Sequence, residues 1–415
     1  MLRVQSSLGI LLILSIAFLL SEDKRRINLR VLVAGVILQI LLAFILIKIP
    51  VSQNLFLALN RMVEALEEAT KAGTSFVFGY LGGGPLPFKS DYPQFIYIFA
   101  FRGLPLVLVI SAISSLLFYW NILPLIVRVF SKIFQTTMRI GGVEAFGCSM
   151  NIFVGMIESP LFVRPYLSSI SKSELFTIMT CGMATIAGTV MVLYATILKP
   201  VIPHAMGHLL IASIISAPAS IVISKIMLPE TQTFSSEADI KIEQRAKSSM
   251  DAITRGTIDG INLLINIVAM LIVLVALVHL LNMILSILPN LGEKPITFQR
   301  IVGIIMAPVV WMMGVPWKEA TIGGALMGTK TVLNELIAYM DLANLPEGSL
   351  SLRSSLILTY AMCGFANFGS LGIMIGGLGS LIPERRSEVV SLGIRSIIAG
   401  TLSTCMTGAI IGIIL

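Results

Sequence analysis

Apolar positions along the chain gather into long runs separated by short charged stretches, a pattern that predicts helices crossing a membrane. Leu8 to Leu20 and Val31 to Ile49 are the first two runs, each with its flanks approaching the roughly 20 residues that a spanning helix needs. Ser21 to Arg30 between them carries Lys24, Arg25, Arg26 and Arg30, which marks that loop as cytoplasmic and places the N-terminus outside. A signal peptide is disfavoured, because only Arg3 precedes the first run and no small-residue cleavage site follows it. From Val51 to Lys71 the period changes to that of an amphipathic surface helix: Leu55, Leu59, Met62, Val63 and Leu66 recur opposite Arg61, Glu64, Glu67, Glu68 and Lys71. A Gly- and Pro-rich passage, Gly79 to Pro87, leads through Asp91, Tyr92 and Pro93 to a third span beginning near Phe95 and carrying Arg102 and Pro105. Ile122, Ile126, Val129, Phe130 and Ile133 then alternate with Arg128, Lys132 and Arg139, a basic amphipathic helix for the inner surface.

Ile140 to Leu167 is apolar but interrupted by Gly155 and Pro160, with basic residues on both flanks, so it predicts a re-entrant helical hairpin entered from inside. Spans follow over Leu175 to Ile197 and Leu209 to Leu228, then a polar cytoplasmic loop from Pro229 to Asp259 with Lys241, Arg245, Lys247 and Arg255. Gly260 to Leu288 is longer than a perpendicular crossing requires and predicts a tilted scaffold helix. Phe298 to Gly314 reads as an interfacial helix, Thr321 to Met340 as a second hairpin entered from outside, and Leu352 to Leu381 and Val389 to Leu415 as the last spans, leaving the C-terminus outside. The expected fold is an all-α polytopic membrane protein with about eight spans and two re-entrant hairpins in inverted repeat. The expected divisions are residues 1–139, transport repeat 1 at 140–228, a loop at 229–259, scaffold and interfacial helices at 260–320, and transport repeat 2 at 321–415.

The repeat is also written in the motifs. Gly155-Met156-Ile157-Glu158-Ser159-Pro160 and Gly328-Thr329-Lys330 through Asn334-Glu335 each set a carboxylate among apolar residues, and each precedes a Cys-Gly signature, at Cys181-Gly182 and Cys363-Gly364. A charged side chain in a bilayer costs about 2.5 to 3.5 kcal/mol on insertion scales and persists where it faces a polar cavity or a partner. A simple salt bridge to Lys330 or Arg102 is the competing explanation for either carboxylate.

Composition supports this picture: 56% of residues are hydrophobic and 12% charged, against about a quarter charged in soluble proteins. The net charge of +7 lies in short clusters between apolar runs, which are topology signals and form no nucleic-acid face. Cys148, Cys181, Cys363 and Cys405 have neither CxxC spacing nor nearby histidines, so neither a disulfide framework nor zinc is indicated. His204 and His208 stand four residues apart, a spacing that suits a metal on a helix but also a span's polar end.

On these motifs the chain resembles the concentrative nucleoside transporter family over essentially its whole length. Gly328-x-Lys330-x-x-x-Asn334-Glu335-Leu336-Ile337-Ala338-Tyr339 is similar to that family's signature, supported by Asn151-x-x-Val154-Gly155-x-x-Glu158, Met183 to Gly188 and Gly364 to Ser370. The resemblance implies a homotrimer in the bacterial cytoplasmic membrane, in which a scaffold carries mobile transport domains that move a nucleoside with a coupling cation. It implies that Gly155, Met156, Ile157, Glu158 and Val190 face the nucleobase, that Glu335, Asn367 and Ser370 hold the ribose, and that Phe365 lines the pocket. The sodium site it implies is Asn151, Val154, Ile157, Thr185 and Ile186. Two positions depart from the family: Met156 stands where a Gln is usual and Ile157 where Thr or Ser is usual. Met lacks the amide's hydrogen bonds, and Ile offers no side-chain oxygen to a hard cation. On that ground the sequence leans toward proton over sodium coupling, with Glu158 as the proton carrier. No other cofactor is expected. The alternative, a membrane-embedded transferase using Glu158 and Glu335 as acid and base, would want an Asp-rich or His-containing metal motif.

Overall fold

A computed structural model of the chain describes residues 2–89, 97–156, 158–231, 246–287 and 295–415, the side chains of 50–56 excepted. The lead-in through Asp91 to Pro93, the role given to Ile157, the loop residues Lys241 and Arg245, and Leu55 on the amphipathic stripe lie outside the described residues.

Helices α1 (Leu2–Leu19) and α2 (Leu29–Lys48) are the first two spans, and Asn28 caps α2 by accepting from the Arg30 amide. The amphipathic helix α3 (Pro50–Phe78) starts with proline in its first turn, where the missing N–H costs nothing. The third span is a short α4 (Phe99–Arg102) and then α5 (Leu106–Tyr119), offset at Gly103 to Pro105. Helix α6 (Ile122–Met138) is the basic amphipathic one.

The first hairpin descends through α7 (Gly142–Asn151) and returns through two short pieces, α8 (Glu158–Phe162) and α9 (Arg164–Leu167). Next comes a helix in two parts, α10 (Lys172–Ala184) and α11 (Gly188–Leu198), and then a long buried one, α12 (Ala205–Met227). A Ser171/Glu174 capping box starts α10, so the chain turns sharply from hairpin to span.

The second half repeats that order. Helix α13 (Ser249–Leu285) is followed by the amphipathic α14 (Phe298–Met312), a hairpin of α15 (Trp317–Val332) and α16 (Glu335–Ala343), a broken helix of α17 (Leu352–Met362) and α18 (Phe368–Leu381), and a long α19 (Arg386–Ile414). Among the described residues, seven helices or helix pairs are long and apolar enough to span; the broken pair α17/α18 occupies the place of the remaining expected span. Helix α13 starts eleven residues before the expected Gly260, so the polar loop is shorter than 229–259. At 37 residues it is about 55 Å long.

The layers differ in burial. In α12, 94% of the apolar window is inside the protein, whereas in α13 the share is 6%. Helix α12 therefore belongs to the centre of a packed body, and α13 lies along its edge, paired lengthwise with α5. The two helix breaks cross at the centre: a side chain on Gly364 would begin 2.8 Å from the Met183 carbonyl oxygen, so only glycine permits this approach. Buried charges at the end of α12 are paired, with Lys225 Nζ 2.9 Å from Glu144 and 3.2 Å from Glu230. Arg385 donates to the carbonyls of Leu167 and Ile170 at 2.7 and 2.8 Å, fastening the outgoing arm of the first hairpin to the turn before α19.

Candidate functional site

The second hairpin breaks because Asn334 takes an extended conformation and caps α16, its side-chain oxygen accepting from the Ile337 amide at 2.9 Å. Glu335 thereby becomes the first residue of α16, where free backbone N–H groups favour a carboxylate. It is 4% exposed. Tyr194 donates its hydroxyl to Glu335 Oε1 at 2.6 Å, and Asn367 donates its amide nitrogen to Oε2 at 3.0 Å. Asn367 has no freedom to flip: its oxygen accepts from the Ser370 amide at 2.7 Å as the cap of α18, so its NH2 must face the carboxylate. One break in each of two helices thus converges on one carboxylate.

The first hairpin is held differently. Its arms are clipped by Ser159 donating to the Gly147 carbonyl at 2.8 Å. Its turn is tied to the break of the first split helix by the Gly188 amide donating to Phe153 oxygen at 2.9 Å. Glu158 opens α8 and accepts from the Gly155 amide at 3.4 Å. This tie joins Phe153, which lies between Asn151 and Val154, to Gly188, two residues after Ile186, so the stretches holding the residues expected around a cation are fastened together. Asn151 donates to the Ile178 carbonyl at 3.4 Å, while its oxygen is buried with no hydrogen-bond partner. Thr185 donates to the Cys181 carbonyl at 2.8 Å, which leaves its oxygen lone pairs available.

Between the hairpin tips lies a cavity of about 160 Å³. Gly155, Met156, Glu158, Val190, Glu335, Phe365, Asn367 and Ser370 all line it, so every sequence-derived substrate residue within the described set converges there. Asn151, Val154, Thr185 and Ile186 are not among its lining residues. Neither salt-bridge explanation holds for Glu335: Arg102 donates to the carbonyls of Leu81 and Tyr80, and buried Lys330 has no hydrogen-bond partner. The histidines do not converge on a metal, since His204 meets Asn60 and His208 meets the Tyr360 hydroxyl.

Three contributions escaped the sequence. Tyr194 lies four residues after Val190, one turn along the same face, and that spacing was the available signal. Asn334 acts as a cap, which the Asn-Glu pair before a helix would have suggested. The α13 face that closes the cavity carries no motif at all, and only packing reveals it.

Residues 8–81 match the description "Na+ dependent nucleoside transporter N-terminus", residues 100–201 "Nucleoside recognition", and residues 208–412 "Na+ dependent nucleoside transporter C-terminus". The transporter YutK of Bacillus subtilis (strain 168) is 36% identical over 409 residues, covering 98% of each chain. The nucleoside permease NupC of Helicobacter pylori is 33% identical over 413 residues, covering 98% of this chain and 97% of NupC. Among solved structures, CNTnw in an inward-facing substrate-bound state superimposes with a TM-score of 0.90 at 31% identity, covering 100% of this chain and 98% of that one. With matches running nearly end to end, the chain belongs to the concentrative nucleoside transporter family.

Proposed function

We propose that this protein carries nucleosides across the cytoplasmic membrane by alternating access, driven by a cation gradient. The observation that carries the reading is the buried Glu335 carboxylate held by Tyr194 and Asn367 on the cavity wall. A carboxylate beside an amide and the Ser370 hydroxyl suits vicinal ribose hydroxyls, which donate as well as accept. The more apolar side, with Met156 and Val190, takes the base. Relatives with similar sequences are permeases and transporters, which favours flux over the transferase alternative.

Sodium is the coupling ion this site supports best, against the sequence's lean toward protons. The partnerless Asn151 oxygen, the Thr185 hydroxyl and the neighbouring backbone of Val154 and Ile186 supply oxygen ligands of the kind a hard cation takes, and the family description is itself Na+ dependent. The exposed apolar face of α13 supports a homotrimer in the bilayer, and the basic loop after α1 supports outward-facing termini. Proteoliposomes loaded against a sodium gradient, a choline gradient and a pH gradient test the whole reading. Radiolabelled nucleoside should accumulate with inward sodium alone; accumulation driven by the pH gradient in choline would overturn the sodium assignment, and no saturable flux under any gradient would overturn transport.

A further inference from the structure

In both halves of the chain a buried polar atom without a hydrogen-bond partner lies at the Cys-Gly signature of the broken helix, and the two atoms are of opposite kind. In the first half it is Asn151 Oδ1, an acceptor on the last residue of α7, and a side chain on Gly182 would begin 3.5 Å from it. In the second half it is Lys330 Nζ, a cation in the last turn of α15, whose charge is acted on by Glu335, Cys363 and Cys405. The settings correspond. A hairpin arm ends against the first part of a broken helix, α7 against α10 and α15 against α17. Each of these four helices ends in carbonyls that its own ladder leaves free, the negative end of its dipole. Paired ends of that kind favour a cation.

Lys330 differs from Lys225, the other buried lysine among the described residues. Lys225 is paired with Glu144 and Glu230 and donates to the Ser173 hydroxyl at 3.1 Å, whereas Lys330 is 0% exposed and bonded to nothing. A bare ammonium in a dry interior is costly unless opposite charge compensates it. Of the three groups that act on it, Glu335 alone is a carboxylate, and in a low-dielectric interior two charges act on each other beyond hydrogen-bond reach. Lys330 is not among the residues lining the cavity, so it reaches a substrate only through groups such as Glu335 that are.

We infer that Lys330 is a built-in counter-cation, taking in the second half the place that the coupling cation takes in the first, and that it holds Glu335 as the anion that receives the sugar hydroxyls. It is a positioning residue. A carboxylate accepts at both oxygens, whereas a neutral carboxyl must donate at one, so the ammonium decides what Glu335 offers to a vicinal diol. One half of the repeat thus borrows its cation from solution and the other carries it on a side chain. The assignment rests on the nucleoside and cation readings above.

The test is binding of uridine and adenosine, each beside its 2′,3′-dideoxy counterpart, to the purified full chain, with wild type, Lys330→Met and Lys330→Ala compared. Methionine keeps most of the volume and removes the charge, so ribonucleoside affinity should fall about tenfold and dideoxynucleoside affinity much less, which shrinks the ratio between them. Equal weakening of both, as a merely structural role would give, or no weakening, overturns the assignment. Alanine leaves room for a small cation. Added ethylammonium should restore ribonucleoside binding to Lys330→Ala about threefold or more, and ethanol, of similar size but neutral, should not; rescue by both or by neither overturns the assignment. Should Lys330→Ala fail to fold, the ratio in Lys330→Met decides by itself. If wild type binds no nucleoside, the transport reading falls with it, whereas wild-type binding with an unaltered ratio in Lys330→Met removes the role of Lys330 alone.

Discussion

The two hairpins share one architecture and opposite chemistry. In the second, the tip is capped by Asn334, its carboxylate is gripped by Tyr194 and Asn367, and Asn367 is itself fixed by the cap of α18. In the first, the tip is Gly155-Met156 before Glu158, and its ties run mostly through backbone: Gly188 to Phe153, Gly155 to Glu158. A repeated scaffold therefore offers a rigid, polar, pre-aligned end and a more apolar end beside which the Asn151 oxygen is left without a hydrogen-bond partner. The lesson is that the same broken-helix arrangement recurs in both halves, and residue choice at each break sets its chemistry, which on the proposed function suits sugar at one and an ion at the other.

That contrast predicts a steep ranking of variants. Glu335→Gln loses charged hydrogen bonds worth about 3 kcal/mol in a buried site, so nucleoside uptake should fall roughly 100-fold while the protein still inserts and elutes normally. Glu158→Gln in the first hairpin should cost less; a larger loss there than at Glu335 would reverse the division of labour. Uptake at saturating sodium, measured side by side in proteoliposomes, decides between them.

The ion end gives the next effect. Asn151→Leu removes the buried oxygen that has no protein partner, and the sodium concentration for half-maximal uptake should rise about tenfold. Nucleoside affinity at saturating sodium should be preserved; equal damage to both would mean that Asn151 simply supports the hairpin.

A third change addresses the crossing on which both ends depend. Gly364→Ala places a methyl against the Met183 carbonyl, whereas Gly372→Ala on α18 meets open space. Overpacking of this kind costs about 1 to 3 kcal/mol, so the first variant should lower the thermal midpoint in detergent and the second should leave it unchanged. Equal midpoints would show that the two breaks do not constrain each other.

The smallest effect belongs to Met156→Gln. Added at the apolar end, a side-chain amide should change the order of preference among bases by about threefold, within the range of one neutral hydrogen bond, without altering discrimination against deoxyribose. A shift in the sugar preference would place Met156 at the wrong end of the cavity.

Much of this was written in the chain. Runs of apolar residues long enough to span, basic loops beside them, and Gly or Pro at the centre of two apolar hairpins are local features, and local features survive in a linear reading. The signature from Gly328 to Tyr339 likewise named Glu335, because its cap and carboxylate are adjacent in sequence. The helix boundaries were less legible: α13 begins at Ser249 because Ser248 caps it through the Asp251 amide, and a polar first turn reads as loop when only hydropathy is followed.

What the tertiary structure alone decided is which distant groups meet. Tyr194 reaches Glu335 across 141 positions of chain, and Lys330, five residues from Glu335, does not bond to it. The lean toward protons rested on the side-chain oxygen that Ile157 lacks; what the fold adds is that the oxygen of Asn151, already a candidate ligand in the sequence, is buried without a hydrogen-bond partner. The contribution of α13 became legible only from its residues Leu263 to Leu274 lining the cavity. Sequence fixes the helices because hydrophobic burial and backbone hydrogen bonding act on neighbours, whereas the site depends on packing that brings five separate helices to one point, and no local spacing encodes that meeting.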